Sequence, residues 1–275
     1  MPSNKQRRQA AQRRLQRQLE RRAELARKRR RNVLIGVTAA AVVLVAATVL
    51  LITGIGGDDT DPAAAEPTPT SAPPSSAAAP TTNADGTVAC TYTPDGSGSE
   101  DVGTPPNPER TPTQGTADLR MSTDQGDLTL TLDRTKAPCT SASLVHLTER
   151  GFYDNTPCHR LVVQSNFGVL QCGDPTGSGS GGPGYQMSEE GLTGATYPRG
   201  TVAMANAGPG TTGSQFFLCF TDTAIPASYT PVGRVDEAGL AVLDKVAAGG
   251  IAGVGPEGDG APSTPVTIET MTVVS

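Results

Sequence analysis

The feature that most constrains this chain is Val33–Ile52, VLIGVTAAAVVLVAATVLLI, twenty residues without a charge or a proline. At about 1.5 Å per residue, a helix of this length spans about 30 Å, the hydrocarbon thickness of a bilayer. In lipid every backbone N–H and C=O must be paired within the segment, so the run predicts one transmembrane helix over 33–53. A buried core helix would be shorter and would not abut a block of cations. Residues 1–31 hold 13 Lys and Arg against Glu20 and Glu24, a net of +11. A cleaved signal peptide is the rival reading. Its n-region would be unusually long, its apolar stretch also long, and the nearest small-residue site, Ala63-Ala64-Ala65, lies well beyond the run. An uncleaved anchor is favoured. The positive-inside rule then puts the basic segment 1–32 in the cytoplasm and the chain after Asp58 outside a cell membrane crossed once.

The rest of the chain reverses the charge, with 9 basic and 25 acidic groups, a net of −16. Such a split points to two compartments rather than one fold. The basic segment carries no interleaved aromatic platform, so no nucleic-acid partner is expected; contact with anionic headgroups explains it. Gly (32) and Pro (23) are abundant, but no G-X-Y period runs through the chain, which excludes collagen. With two His, no C-x-x-C and no H-x(3–5)-H, no metal site is expected.

Residues 54–115 are rich in Pro, Ala, Thr, Ser and Gly and hold few apolar side chains. They predict a disordered linker, because too little apolar surface is available to offset ordering entropy. From 116 to 275 the texture is that of a folded domain. Asp118–Thr123 and Asp127–Asp133 alternate around Gln125-Gly126 and predict a hairpin with Leu128, Leu130 and Leu132 on one face. A helix capped by Thr140 or Ser141 follows and stops at Gly151. Further strands are predicted at 158–163, 169–172, 201–206, 216–220, 230–235 and 265–274. A second helix starts at an Asp236 cap and ends at Gly249-Gly250. Eight strands and two helices in this length indicate a mainly β domain, a barrel with helical lids.

Two familiar site types are excluded. The run Gly173–Gly184, GDPTGSGSGGPG, lacks the G-K-S/T ending of a phosphate loop and reads as a surface loop needing positive φ. No serine sits in a G-x-S-x-G turn before a helix, so an acyl-transfer nucleophile is not expected. Cys158-His159-Arg160-Leu161-Val162-Val163 is more informative. On a strand it sets Arg160 on the face of Cys158 and Val162, either snorkelling at the surface or fixed in an apolar groove.

The wider context carries a resemblance. Phe152-Tyr153-Asp154-Asn155 and Cys158-His159-Arg160 come first. Gln171-Cys172-Gly173-Asp174-Pro175-Thr176-Gly177 and Gly181-Gly182-Pro183-Gly184-Tyr185 follow. Met204-Ala205-Asn206-Ala207-Gly208 and Gly213-Ser214-Gln215-Phe216-Phe217 complete the series. In this order and spacing the motifs resemble the cyclophilin family of peptidyl-prolyl isomerases, and the layout is similar to its membrane-anchored actinobacterial members. The resemblance implies a closed eight-stranded antiparallel barrel capped by two helices, with a peptide groove on its outer face and no cofactor. It implies Arg160 as the catalytic group with Gln171 beside it. The groove would be formed by Phe217, Val169, Phe167, Ala205, Asn206, Ala207, Gln215, Ile225 and Tyr229.

Three departures from the family pattern stand out. The stretch LVVQSNFGVL between His159-Arg160 and Gln171 is three residues longer than usual and replaces Pro-Gly-Phe-Met. The Trp that many members use to hold cyclosporin aligns near Ala224, and the chain has no Trp, so weak cyclosporin binding is expected. One core aromatic is lost at Pro231-Val232-Gly233. The partners implied are proline-containing peptides or unfolded exported proteins, and a monomer is expected. The alternative, from another class, is a cyclophilin-fold module that binds such peptides without useful turnover. Of the five cysteines, Cys158 and Cys172 lie on strands expected to be neighbours, and Cys90 could tie the linker to Cys139. Cys219, in an apolar strand, reads as a buried free thiol. Pairing stays open, since four cysteines allow three connectivities.

Overall fold

The computed structural model describes residues 82–98, 102–253 and 258–274. The basic segment 1–32, the transmembrane helix expected over 33–53 and the first part of the linker lie outside the described residues. Among the described residues no helix is long and apolar enough to cross a membrane.

The elements in chain order are β1 (Thr93–Pro94), β2 (Thr116–Thr123), β3 (Gly126–Asp133), α1 (Pro138–Glu149), β4 (Thr156–Pro157), β5 (Arg160–Gln164), β6 (Phe167–Cys172) and β7 (Tyr185–Gln186). They continue with β8 (Thr201–Met204), β9 (Phe216–Cys219), β10 (Pro231–Val235), α2 (Glu237–Ala248), β11 (Asp259–Gly260) and β12 (Thr267–Val273). Ten strands form one antiparallel sheet in the order β11-β5-β6-β9-β8-β10-β3-β2-β12-β4. The eight longer strands are those the sequence predicts, with ends shifted by a few residues. The expected closed ring of eight is corrected to a ladder with two ends. The two-residue strands β4 and β11 extend it at the edges and pair only inward. Between β4 and β5, the Cys158 N–H bonds the Val266 carbonyl at 2.8 Å.

Alternation decides the core. In the β2–β3 hairpin, Ala117, Leu119 and Met121 lie opposite Leu132, Leu130 and Leu128, and all six are buried. They join Leu161, Leu170, Val202, Met204, Phe216, Leu218 and Val232 from the other long strands in one cluster. Trimming one of these leucines to Ala would cost about 2–5 kcal/mol, because the lost transfer energy adds to an unfilled cavity. α2 contributes Leu240, Leu243 and Val246. Its Asp236 cap accepts from Gly239 N at 2.9 Å and from Thr129 N at 3.0 Å, which also moors the helix to β3.

α1 departs from expectation at its start. It begins at Pro138, and neither Thr140 nor Ser141 is the cap. The carboxylate of Glu190, fifty residues downstream, accepts from Cys139 N at 3.1 Å, Thr140 N at 2.7 Å and the Thr140 hydroxyl at 2.7 Å. A buried anion thus meets the positive end of the helix dipole. Burial nonetheless raises the Glu190 pKa above its ordinary value, the hydrogen bonds offsetting only part of that cost.

The linker expectation is corrected from Thr82 onward. Val88 and Thr111 exchange backbone hydrogen bonds at 2.9 Å, and Val88, Cys90 and Val102 are buried. Cys90 is bonded to Cys139, with Cα atoms 5.5 Å apart. The Tyr92 hydroxyl donates to the Cys139 carbonyl at 2.8 Å. β1 then pairs with β7. A Pro- and Gly-rich average concealed these few anchors, and one covalent tie lowers the entropy that the arm would otherwise gain by detaching. The second bridge, Cys158–Cys172, and the free, buried Cys219 agree with the sequence reading.

Candidate active site

The strands β6, β8 and β9 are apolar on both faces. A continuous apolar run such as Phe216–Phe220 signals a strand that is covered on both sides. The second face holds a separate cluster of Val162, Val169, Tyr197, Ala203, Phe217 and Cys219. Phe167, Ala195, Ala205, Ile225 and Tyr229 pack against it, partly exposed. This is an apolar groove on the outside of the sheet.

Register builds the site. Arg160 on β5 lies opposite Gln171 on β6, Gln171 opposite Phe217 on β9, and Phe217 opposite Ala203 on β8. Directly opposed residues share a face, so a cation, an amide and an aromatic stand in one row. Gly168 makes room on the inner face, where a Cβ would sit 2.7 Å from the Phe220 ring. Phe167, Val169 and Gln171 therefore alternate outward on the same strand.

The Arg160 guanidinium is held on two sides. Nη1 donates to Gln171 Oε1 at 3.0 Å. Nε donates to Asp259 Oδ1 at 2.9 Å, and Nη2 to Asp259 Oδ2 at 2.6 Å. Its carbon lies 5.9 Å from the centre of the Phe167 ring. A guanidinium has five N–H donors in a rigid fork. Among the described residues three are engaged, which leaves one on each terminal nitrogen. The chain of amides continues, with Gln171 Nε2 donating to Gln215 Oε1 at 2.9 Å and Gln215 Nε2 to the Gly181 carbonyl at 2.9 Å.

The aromatic wall is braced from below. Phe217 meets Tyr229 edge-on at 5.6 Å, and Tyr197 lies 6.2 Å from Phe217. The Tyr197 hydroxyl donates to the Tyr229 carbonyl at 2.8 Å and accepts from Tyr229 N at 3.0 Å. Burial raises the Tyr197 pKa and pushes the Cys219 thiol up to about 12, so both stay neutral in the groove floor. His159 is lowered by burial, with Arg160 adding to the effect and Asp174 opposing it. The Asn206 side chain donates to the Ser228 carbonyl at 2.8 Å. Asn206 and Ala207 line a cavity that Gln171 and Gln215 also line.

The Gly-rich loop is built around Asp174. Its carboxylate accepts from Thr176 N and the Thr176 hydroxyl, each at 2.7 Å, and from Gly179 N at 2.6 Å. Burial alone would raise its pKa, but these hydrogen bonds outweigh burial and lower it.

Of the residues expected from sequence, Val169, Phe217, Phe167, Ala205, Ile225 and Tyr229 lie in or against the second-face cluster, Gln171, Asn206, Ala207 and Gln215 line the cavity beside it, and Arg160 is bonded to Gln171. Sequence reasoning missed Asp259, Tyr197, Val162 and Ala203. Ala203 was findable from the two-sided apolar strand β8, and Val162 from its place on the face of Arg160, whereas Tyr197 lies outside the named strands. Asp259 carried no local signal, as an acidic residue in a Gly- and Pro-rich stretch.

Residues 118–273 match the family model described as cyclophilin type peptidyl-prolyl cis-trans isomerase/CLD. The chain is 50% identical over 296 residues to a Mycobacterium leprae protein named "Probable peptidyl-prolyl cis-trans isomerase B", covering 98% of this chain and 99% of that one. It is 46% identical over 165 residues to a Mycobacterium tuberculosis protein of the same name, covering 56% of this chain and 53% of that relative. A crystal structure of a Cryptosporidium parvum cyclophilin type peptidyl-prolyl cis-trans isomerase aligns with a TM-score of 0.49 at 27% identity, over 58% of this chain and 99% of that one. The family match extends over more than half of the sequence, and the Mycobacterium leprae relative aligns over nearly the whole length of both chains. On these grounds the chain belongs to the cyclophilin-type peptidyl-prolyl cis-trans isomerases.

Proposed function

We propose that Arg160 is the group through which this isomerase accelerates rotation about X–Pro bonds. Rotation faces a barrier of about 18–20 kcal/mol because twisting destroys amide resonance. At the twisted geometry the prolyl nitrogen pyramidalises and regains a basic lone pair. A donor aimed at that nitrogen binds the transition state better than either planar state, which is what acceleration requires. The observation that supports this reading is the position of the guanidinium, bonded to Gln171 at 3.0 Å and 5.9 Å from the Phe167 ring, with two N–H donors unengaged among the described residues. Phe217, Val169, Phe167, Ile225 and Tyr229 hold the prolyl ring while the rest turns. Gln171 and the backbone of Asn206 pin the flanking peptide.

The setting proposed is the outer side of a cell membrane, where a monomer tethered by residues 33–53 assists folding of exported proteins. The uncharged run, the thirteen adjoining cations and the two disulfides support it, since disulfides persist in oxidising compartments.

Arg160→Ala tests the chemistry. Losing one preorganised donor costs about 3–4 kcal/mol, or about 10²–10³ in rate. A protease-coupled or NMR exchange assay on an Ala-Pro peptide should show that loss with the fold intact. Wild-type turnover by the variant would remove Arg160 from the mechanism. Absence of turnover in the wild type would favour a peptide-binding module.

A further inference from the structure

The family match begins at residue 118, yet the arm that precedes it is fastened to the domain. Cys90 is bonded to Cys139 in the first turn of α1, and the Tyr92 ring meets Tyr185 edge-on at 5.3 Å. β1 then pairs Thr93 with Gln186 and Pro94 with Tyr185. These contacts bring residues 95–98 of the arm against residues 182–184, the end of the Gly-rich loop. Asp95 N donates to the Gly184 carbonyl at 3.1 Å, and Ser97 Oγ accepts from Gly184 N at 3.3 Å. Gly98 forms a parallel bridge with Gly182.

The approach is close because Gly182 has no side chain. A Cβ there would stand 2.5 Å from Ser97 Oγ and 3.3 Å from Ser97 Cβ. The Gly181 carbonyl shares a rigid peptide plane with the nitrogen of Gly182, so whatever places Gly182 also aims that carbonyl. It accepts from Gln215 Nε2 at 2.9 Å. Gln215 Oε1 accepts from Gln171 Nε2 at 2.9 Å, and Gln171 Oε1 accepts from Arg160 Nη1 at 3.0 Å. An amide has one donor end and one acceptor end, so each partner in this line fixes the orientation of the next. Asp174 holds Gly181 from its N–H side. The carbonyl side is the one the arm reaches. A loop so rich in glycine has wide backbone freedom, and the arm removes part of it.

We infer that residues 95–98 of the arm are a positioning element of the isomerase site. By fixing Gly182 and Gly184 they set the Gly181 carbonyl, and through Gln215 and Gln171 the aim of Arg160. This rests on Arg160 being the group that accelerates rotation.

The test uses the full-length protein in detergent. Cys90→Ser with Cys139→Ser releases the arm, and Ser97→Ala removes the acceptor at Gly184 without opening the bridge. Each is made in the wild type and in a Gln215→Ala background, and assayed where circular dichroism shows the domain folded. Ser97→Ala decides the question should the disulfide variant fail to fold. Releasing the arm should lower kcat by about two- to ten-fold, the worth of one orienting hydrogen bond. The loss should disappear once residue 215 is Ala, because the arm acts through that amide, whereas a general structural role would add to it. A loss that is the same in both backgrounds, or an unchanged kcat in both arm variants, would overturn the inference. The side-chain amide resonances of Gln215 and Gln171 give a second readout that needs no turnover. They should shift in the arm variants, and resonances that stay in place would overturn the relay. Shifted resonances in a protein whose wild type has no turnover would remove the Arg160 mechanism and leave the coupling standing.

Discussion

Replacing Asp259 by Asn should slow isomerisation by no more than about five-fold. The carboxylate holds the Nε and Nη2 edge of Arg160 at 2.9 Å and 2.6 Å, and Gln171 holds Nη1 at 3.0 Å. The Arg160 and Asp259 side chains are 36% and 34% exposed, so their attraction is screened by solvent. Ion pairs of that exposure are worth about 0.2–1 kcal/mol. At about 1.36 kcal/mol per tenfold, this orients Arg160 to the extent of about 1.4- to 5-fold in rate. Asn keeps the size and one acceptor oxygen but loses the charge and the paired geometry. Because Asp259 acts on the substrate only through Arg160, the loss should fall on kcat, with KM close to wild type. The protease-coupled assay over a range of peptide concentrations separates the two constants. The melting temperature should barely move. A hundred-fold fall would refute the argument and place Asp259 in contact with the peptide. No change at all would mean that Gln171 positions the guanidinium alone.

Two further perturbations test the scaffold. Changing both Cys90 and Cys139 to Ser opens a bridge across 49 residues. The chain-entropy ceiling for such a loop is roughly 4 kcal/mol. Circular dichroism should show the melt lowered by up to roughly 8–16 °C, and an unchanged midpoint would show that the arm adds nothing to the sheet. Glu190 and Asp174 should give opposite pH dependence in urea unfolding. Burial raises the Glu190 pKa above 4.5, so its ionisation in the folded state penalises stability as pH rises through the raised value. The wild type should therefore gain on Glu190→Gln as pH falls from neutrality toward 4.5. The Asp174 pKa is lowered from 3.8 because its hydrogen bonds outweigh burial, so its contribution is present above 3.8 and lost as pH falls through the lowered value. The wild type's advantage over Asp174→Asn should vanish in acid, and slopes of the same sign for both variants would refute the assignments.

The inward face of the hairpin was legible in the sequence because it depends on short-range pattern, whereas the groove was read from the resemblance of the motifs to the cyclophilin family. Alternation set Leu128, Leu130 and Leu132 inward, while the structure shows Phe167, Val169 and Gln171 on one outer face of β6. Asp236 announced α2 from three residues away. The contacts that finish the site are of another kind. Asp259 reaches Arg160 across 99 residues, Glu190 caps α1 across 50, and Cys90 draws a Pro-rich arm onto the domain across 49. Periodicity can say which face a side chain takes, since neighbours in the chain share one backbone geometry. It cannot say which distant loop will supply the opposite charge. That is decided only when the sheet curls, the chain ends of its strands meet, and a buried or half-buried ion must find a partner there.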